Sequence, residues 1–258
     1  MAWPFSGLFS TLFPAVPDNT TLIILAVVVF AAGYVRGFSG FGFAAIVVAS
    51  MAIIMDPLVI IVMVMLFEIC ASALQVKYAW QHLDKPQVSR LLAGAAVGMP
   101  IGVALLVALD IDKVRIAISI LVLGLALVLL SGWSLKKRPG SIGQLLVGVG
   151  SGFANSTAIG GLPVGLFLTA QNAEPAKFRA NMIGYLFALD IIGIAIMAYH
   201  DKFSLDIFVT TAALFPVMFL GVYLGSRRFF STPPKSFRKL VVILLISLSI
   251  AGLAKSFL

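Results

Sequence analysis

The sequence predicts an all-α integral membrane protein of about ten hydrophobic helical segments, arranged as two inverted repeats of five. Three observations predict it. The 258 residues are 61% hydrophobic and only 11% charged, against about half and about 25% in a soluble domain. The charges are gathered between uncharged runs, many of them long enough for a helix to cross a hydrocarbon core about 30 Å thick. The basic loops recur at every second turn, as cytoplasmic loops do.

In chain order, the segments fall at about 20–36, 40–54, 57–77, 88–109, 114–134, 142–154, 158–170, 178–199, 206–226 and 238–255. The first follows Asp18 and runs up to Arg36. The second lies between Arg36 and Asp56. The third opens on Asp56–Pro57, an acid and a proline that suit a helix start. The fourth and fifth are separated by the charged turn Asp110–Lys113. The uncharged window 139–173 is too long for one span, and Ala154–Asn155–Ser156–Thr157 divides it into the sixth and seventh. The eighth follows Glu174–Pro175 and carries Asp190 near its middle. The turn His200–Asp206 precedes the ninth, and a basic loop precedes the tenth. Continuous apolar runs, rather than alternating ten-residue strands, exclude a β-barrel.

Loops 77–90, 135–141 and 227–239 carry Lys77, Lys85, Arg90, Lys136, Lys137, Arg138, Arg227, Arg228, Lys235, Arg238 and Lys239, and are expected in the cytoplasm with both termini outside. Lys177 and Arg179 are read as a further cytoplasmic turn. The net charge of +8 is then a matter of loops meeting anionic membrane lipids, not of nucleic acid. Trp80 and Trp133 fall near cytoplasmic helix ends, and Trp3 suits an anchor for the N-terminal stretch.

The chain is read as one membrane domain, 1–258, whose halves, about 20–135 and 142–256, repeat each other. Gly33-Tyr-Val-Arg-Gly37-Phe38 resembles Gly148-Val-Gly-Ser-Gly152-Phe153, 115 residues on; Asp56–Pro57 resembles Glu174–Pro175, and Pro100 matches Pro216. An odd number of segments per half inverts the second half, as the loop charges independently require. Short, Gly-rich, interrupted segments at matching places in two halves point to a transporter's binding site. The ends of broken helices present backbone N–H groups that suit anions.

The single cysteine, Cys70, lies in an apolar run, and His82 and His200 lie at membrane edges. No metal, cofactor or enzymatic motif is indicated, and the chain is expected not to be an enzyme. The candidate substrate-binding residues are Arg36, Ser39 and Gly40 in the first break, and Asn155, Ser156, Thr157, Gln171, Asn172 and Asn181 around the second. Arg36 either serves substrate or pore, or snorkels to headgroups. Glu68 and Asp190 either pair with Arg36 or carry protons. Donors outnumber acids in both breaks, which favours a small anion over a metal cation.

From about residue 20 to 256 the sequence resembles the TauE/SafE family of sulfite exporters, also called the four-toluene-sulfonate uptake permease family. The resemblance is carried by Gly33-Tyr-Val-Arg-Gly-Phe-Ser-Gly-Phe-Gly42, Gly148-Val-Gly-Ser-Gly-Phe-Ala-Asn-Ser-Thr-Ala-Ile-Gly-Gly-Leu-Pro163, Gly98-Met-Pro-Ile-Gly102, and Pro216 with Gly221 and Gly225. Ser39-Gly40-Phe41-Gly42 departs from the family's Gly-Gly-Gly, and Asn155-Ser156-Thr157 from its Gly-rich turn. The resemblance implies a multi-pass permease of the bacterial inner membrane that moves a small sulfur-containing anion. The expected activity is export of sulfite or an organosulfonate such as sulfoacetate by alternating access. The alternatives are proton-coupled uptake of thiosulfate or another organosulfur anion, and a membrane-embedded enzyme or assembly subunit. A monovalent anion leaving a cell negative inside gains about 2.3 kcal/mol per 100 mV, so export needs no ion coupling. Homodimer formation is left open.

Overall fold

A computed structural model describes residues 14–16, 18–51, 54–110, 120, 139–171 and 173–231. The expected segments 114–134, residue 120 apart, and 238–255 lie outside the described residues, as do Trp3, Trp133, Asn172 and the basic residues 136–138, 235, 238 and 239. Among the described residues there are eight helices and no strand. In chain order they are α1 (Asn19–Ser39), α2 (Phe43–Met51), α3 (Pro57–His82), α4 (Lys85–Ala108), α5 (Ser141–Asn155), α6 (Gly161–Ala170), α7 (Pro175–Tyr199) and α8 (Leu205–Phe230). Of these α1, α3, α4, α7 and α8 are long and apolar enough to cross a membrane. At about 1.5 Å per residue, α2 and α6 reach only about half the hydrocarbon core.

The starts of the long helices are set by local chemistry. The Asp18 carboxylate accepts the Thr21 N–H (2.9 Å) and O–H (2.8 Å) at the head of α1. The Thr21 N–H, followed by its hydroxyl, holds Asp18 below its ordinary carboxylate range. That cap is in place at neutral pH and weakens as pH falls below about 4. Asp56 caps α3 ahead of Pro57, Asp84 caps α4, and Ser204 caps α8. Pro175 opens α7 after Glu174, so both acid–proline pairs do start helices.

Two close helix pairs frame the bundle. α1 lies along α8, and α4 lies along α5. The contact in each is backbone on backbone: a Cβ on Gly37 would collide with the Val222 carbonyl, and one on Gly225 with that of Tyr34. In the second pair, Gly98 meets the Val149 carbonyl and Gly148 that of Leu91. With no hydrophobic force between helices in lipid, this close approach is what binds them. The other pairings are α3 with α7 and α8, α4 with α7, α1 with α2 and α3, α2 with α3, α5 with α6 and α7, and α6 with α7. Large apolar side chains such as Ile23, Val27, Ile101, Leu146 and Leu220 stay exposed on the outer faces, as expected of a surface turned to lipid.

Gly148→Ala and Gly98→Ala are expected to destabilise the α4–α5 pair by about 1–3 kcal/mol. Gly150→Ala, on the same helix but with open space beyond it, is expected to be neutral or to stabilise by about 0.5–1 kcal/mol. Thermal unfolding in detergent reads the difference; equal losses at 148 and 150 would contradict the packing account.

Candidate functional site

Both interruptions are built for sharp reversals. In the first, Gly40 (φ 83°) and Gly42 (φ 92°) flank Phe41 in left-handed backbone, which glycine adopts without steric cost. The Ser39 hydroxyl reaches the carbonyl oxygens of Val35 (2.8 Å) and Phe41 (2.7 Å) and accepts the Phe41 N–H. In the second, Ala158 is left-handed at φ 58°, a conformation that costs a residue with a Cβ about 1–2 kcal/mol. The hydroxyls of Ser156 and Thr157 donate to the carbonyls of Phe153 and Ala154, both at 2.8 Å. These hydroxyls satisfy the end of α5 rather than opening onto a cavity.

One pocket lies between the breaks. It is lined by Gly42, Ala44 and Ala45 at the start of α2, by Ala158, Ile159, Gly161 and Leu162 around the start of α6, and by Glu68, Leu186 and Asp190. The space among these walls is small, about 270 Å³ with open solvent at its mouth included. First-turn N–H groups lack intrahelical acceptors and carry the positive end of the helix dipole. Of these, the N–H of Ala44 already donates to the Glu68 carboxylate, and that of Leu162 to the Ile159 carbonyl at 3.1 Å.

Arg36 does not line this pocket. It is fully buried on the last turn of α1, with Nε 2.7 Å from Glu68 Oε2. Its Nη2 donates to the Ser72 hydroxyl at 2.6 Å. The guanidinium therefore acts on the cavity through Glu68, which stands between them.

Asp190 sits on the opposite side, 2% exposed. Its Oδ1 accepts from Asn155 Nδ2 at 3.2 Å, while Oδ2 has no hydrogen-bond partner. Asn155 also accepts the Gly160 N–H (3.2 Å), so one amide braces the second break and positions the α7 carboxyl. Ser151 completes the brace, donating to the Gly160 carbonyl (2.6 Å) and accepting from the Tyr185 hydroxyl (2.7 Å).

Two further candidates lie apart from the pocket. Gln171 accepts from Gln87, Gln87 accepts from Asn181, and Asn181 accepts the Asp84 N–H (3.1, 3.2 and 2.8 Å). This chain ties the end of α6 to the starts of α4 and α7.

Arg179, expected in a cytoplasmic turn, is instead 1% exposed. Its Nη2 lies within hydrogen-bond distance of the Gly37 carbonyl (2.7 Å), Gln75 (2.9 Å) and Ser226 (3.0 Å), and its guanidinium stacks over Tyr78 and Phe229. Loop charge alone does not distinguish it from Lys177. The available signal was its place on a helix already opened by Pro175. Lys177, two residues earlier, does reach the surface and pairs with Asp84 at 2.7 Å.

Eight described helices, five of spanning length, with a small pocket at the heads of two half-length helices, define a multi-pass membrane protein. A model of the sulfite exporter TauE/SafE family matches residues 25–252, nearly the whole chain, and the chain belongs to that family of membrane transporters. No curated protein and no solved structure matches it.

Arg36→Met is expected to cost about 3–5 kcal/mol by stranding Glu68, while Arg36→Met with Glu68→Met recovers most of it. Unfolding in detergent tests this. A single variant as stable as the parent would show that the pair is not what holds α1 to α3.

Proposed function

We propose that this protein exports a small sulfur-containing anion, sulfite or a small organosulfonate such as sulfoacetate, across a bacterial inner membrane by alternating access. The observation that carries this reading is the meeting of the α2 and α6 first turns at one small pocket. Both helices direct the positive ends of their dipoles there, and a tetrahedral or pyramidal oxyanion has acceptors for several donors at once. Family membership supports the substrate class.

The two halves, about 20–135 and 142–256, are in this reading inverted repeats that rock about the pocket. The contacts support it. Exchanging α1 with α5, α2 with α6, α3 with α7 and α4 with α8 turns each helix pairing given above into another of them. A second reading, proton-driven uptake of thiosulfate or another organosulfur anion, is favoured by the two carboxyl groups in the lining.

Purified protein in proteoliposomes is expected to give saturable sulfite flux. Ala45→Leu, which fills the pocket at the head of α2, should lower that flux about tenfold or more while the variant still elutes as a folded species. Unchanged flux in a folded Ala45→Leu variant would move the site elsewhere. Absence of sulfite, sulfonate and thiosulfate flux from the parent protein would reject the function.

A further inference from the structure

We propose that Asp190 is a proton site loaded together with the anion, so that a proton crosses with each anion carried. The inference rests on the transport reading above and adds what that reading leaves open, namely what the site does with its own negative charge.

The two carboxyls of the pocket are not equivalent. Glu68 is committed: Arg36 Nε lies 2.7 Å away, the Ala44 N–H donates to it, and Ser72 holds the same guanidinium. It has a counter-charge held against it. Asp190, on the pocket wall, is held by an amide alone, and its buried Oδ2 has no hydrogen-bond partner. Among the described residues, Arg36 is the cation that acts on it. No charged residue occurs on α2, α5 or α6, and α4 carries only Lys85 and Arg90 near its start, where Arg90 bonds Gln144 at 3.3 Å. The groups that act on Asp190 are Glu68 from α3 with Arg36 of α1 behind it, Asn155 from α5, and Tyr185 on its own helix.

An anion entering between the α2 and α6 first turns therefore meets two carboxyls, one of them paired with a guanidinium behind it. If Asp190 is ionised, the entering charge faces a like charge in a water-poor site. If Asp190 carries a proton, its carboxyl gains an O–H donor that the anion can accept, in place of a like charge. The proton is taken from water on the side to which the pocket is open and returned to water on the other. No covalent bond of the anion is made or broken. A monovalent anion then crosses without net charge. Its direction follows the gradients of anion and proton rather than the membrane potential.

The test uses proteoliposomes with a trapped pH indicator and a potential set by potassium and valinomycin. The probes are sulfite, thiosulfate and a simple alkanesulfonate, the last two being of fixed charge near neutral pH. The parent protein is expected to move protons in the same direction as each anion it carries. In Asp190→Asn the proton signal should vanish, and the remaining flux, though slowed, should depend more steeply on potential because the anion now travels alone. Anion flux without proton movement in the parent, flux that instead requires sodium, or an unaltered proton signal in Asp190→Asn would each overturn the coupling and leave the transport reading standing. No flux of any probe would overturn both.

Discussion

The structure depends on keeping two chain reversals inside an apolar bundle. A peptide group left unpaired in hydrocarbon costs several kcal/mol, so each break needs its own set of partners. The first is answered by two left-handed glycines and the Ser39 hydroxyl. The second is answered by Asn155, Ser151, Ser156 and Thr157, each bonded to a nearby backbone group. What these partners leave over is a small space at the heads of α2 and α6, with Glu68 and Asp190 on its walls. The site is thus a residue of the solution to a backbone problem.

The close helix pairs serve the same end. α1 and α5, the helices that end in the breaks, are held by glycine contacts against α8 and α4. These close outer pairs frame the short helices α2 and α6. Arg179 adds to the frame by tying α7 to the end of α1, to α3 and to α8 through one buried guanidinium.

Much of this was legible in the residues. Uncharged runs bounded by Asp56–Pro57 and Glu174–Pro175 set helix starts, because proline suits the first helical turn, and Asp56 adds a side-chain cap. The polar cluster at 155–157 marked the second break for an equally local reason. Which polar group faces which was not legible. Ser39, Ser156 and Thr157 are donors by type, but their protons go to carbonyls within a turn of them, and only the fold reveals that. Arg36 and Glu68 were both visible as charges at membrane depth, yet their pairing joins different helices. Gln171 and Asn181 were grouped with the break by sequence distance, while the fold sends them to Gln87. The residues that line the pocket, chiefly Gly42, Ala44, Ala45, Ala158 and Gly161, carry no chemical mark in the sequence, since their contribution is backbone and space.

The central claim is that a small sulfur oxyanion binds between the heads of α2 and α6. Soaking the protein with selenite, the heavier congener of sulfite, and locating selenium by anomalous scattering tests it most directly. The account predicts a peak within hydrogen-bond distance of first-turn N–H groups of both short helices and beside Asp190. A peak confined to the basic helix ends, with the pocket empty, would contradict it.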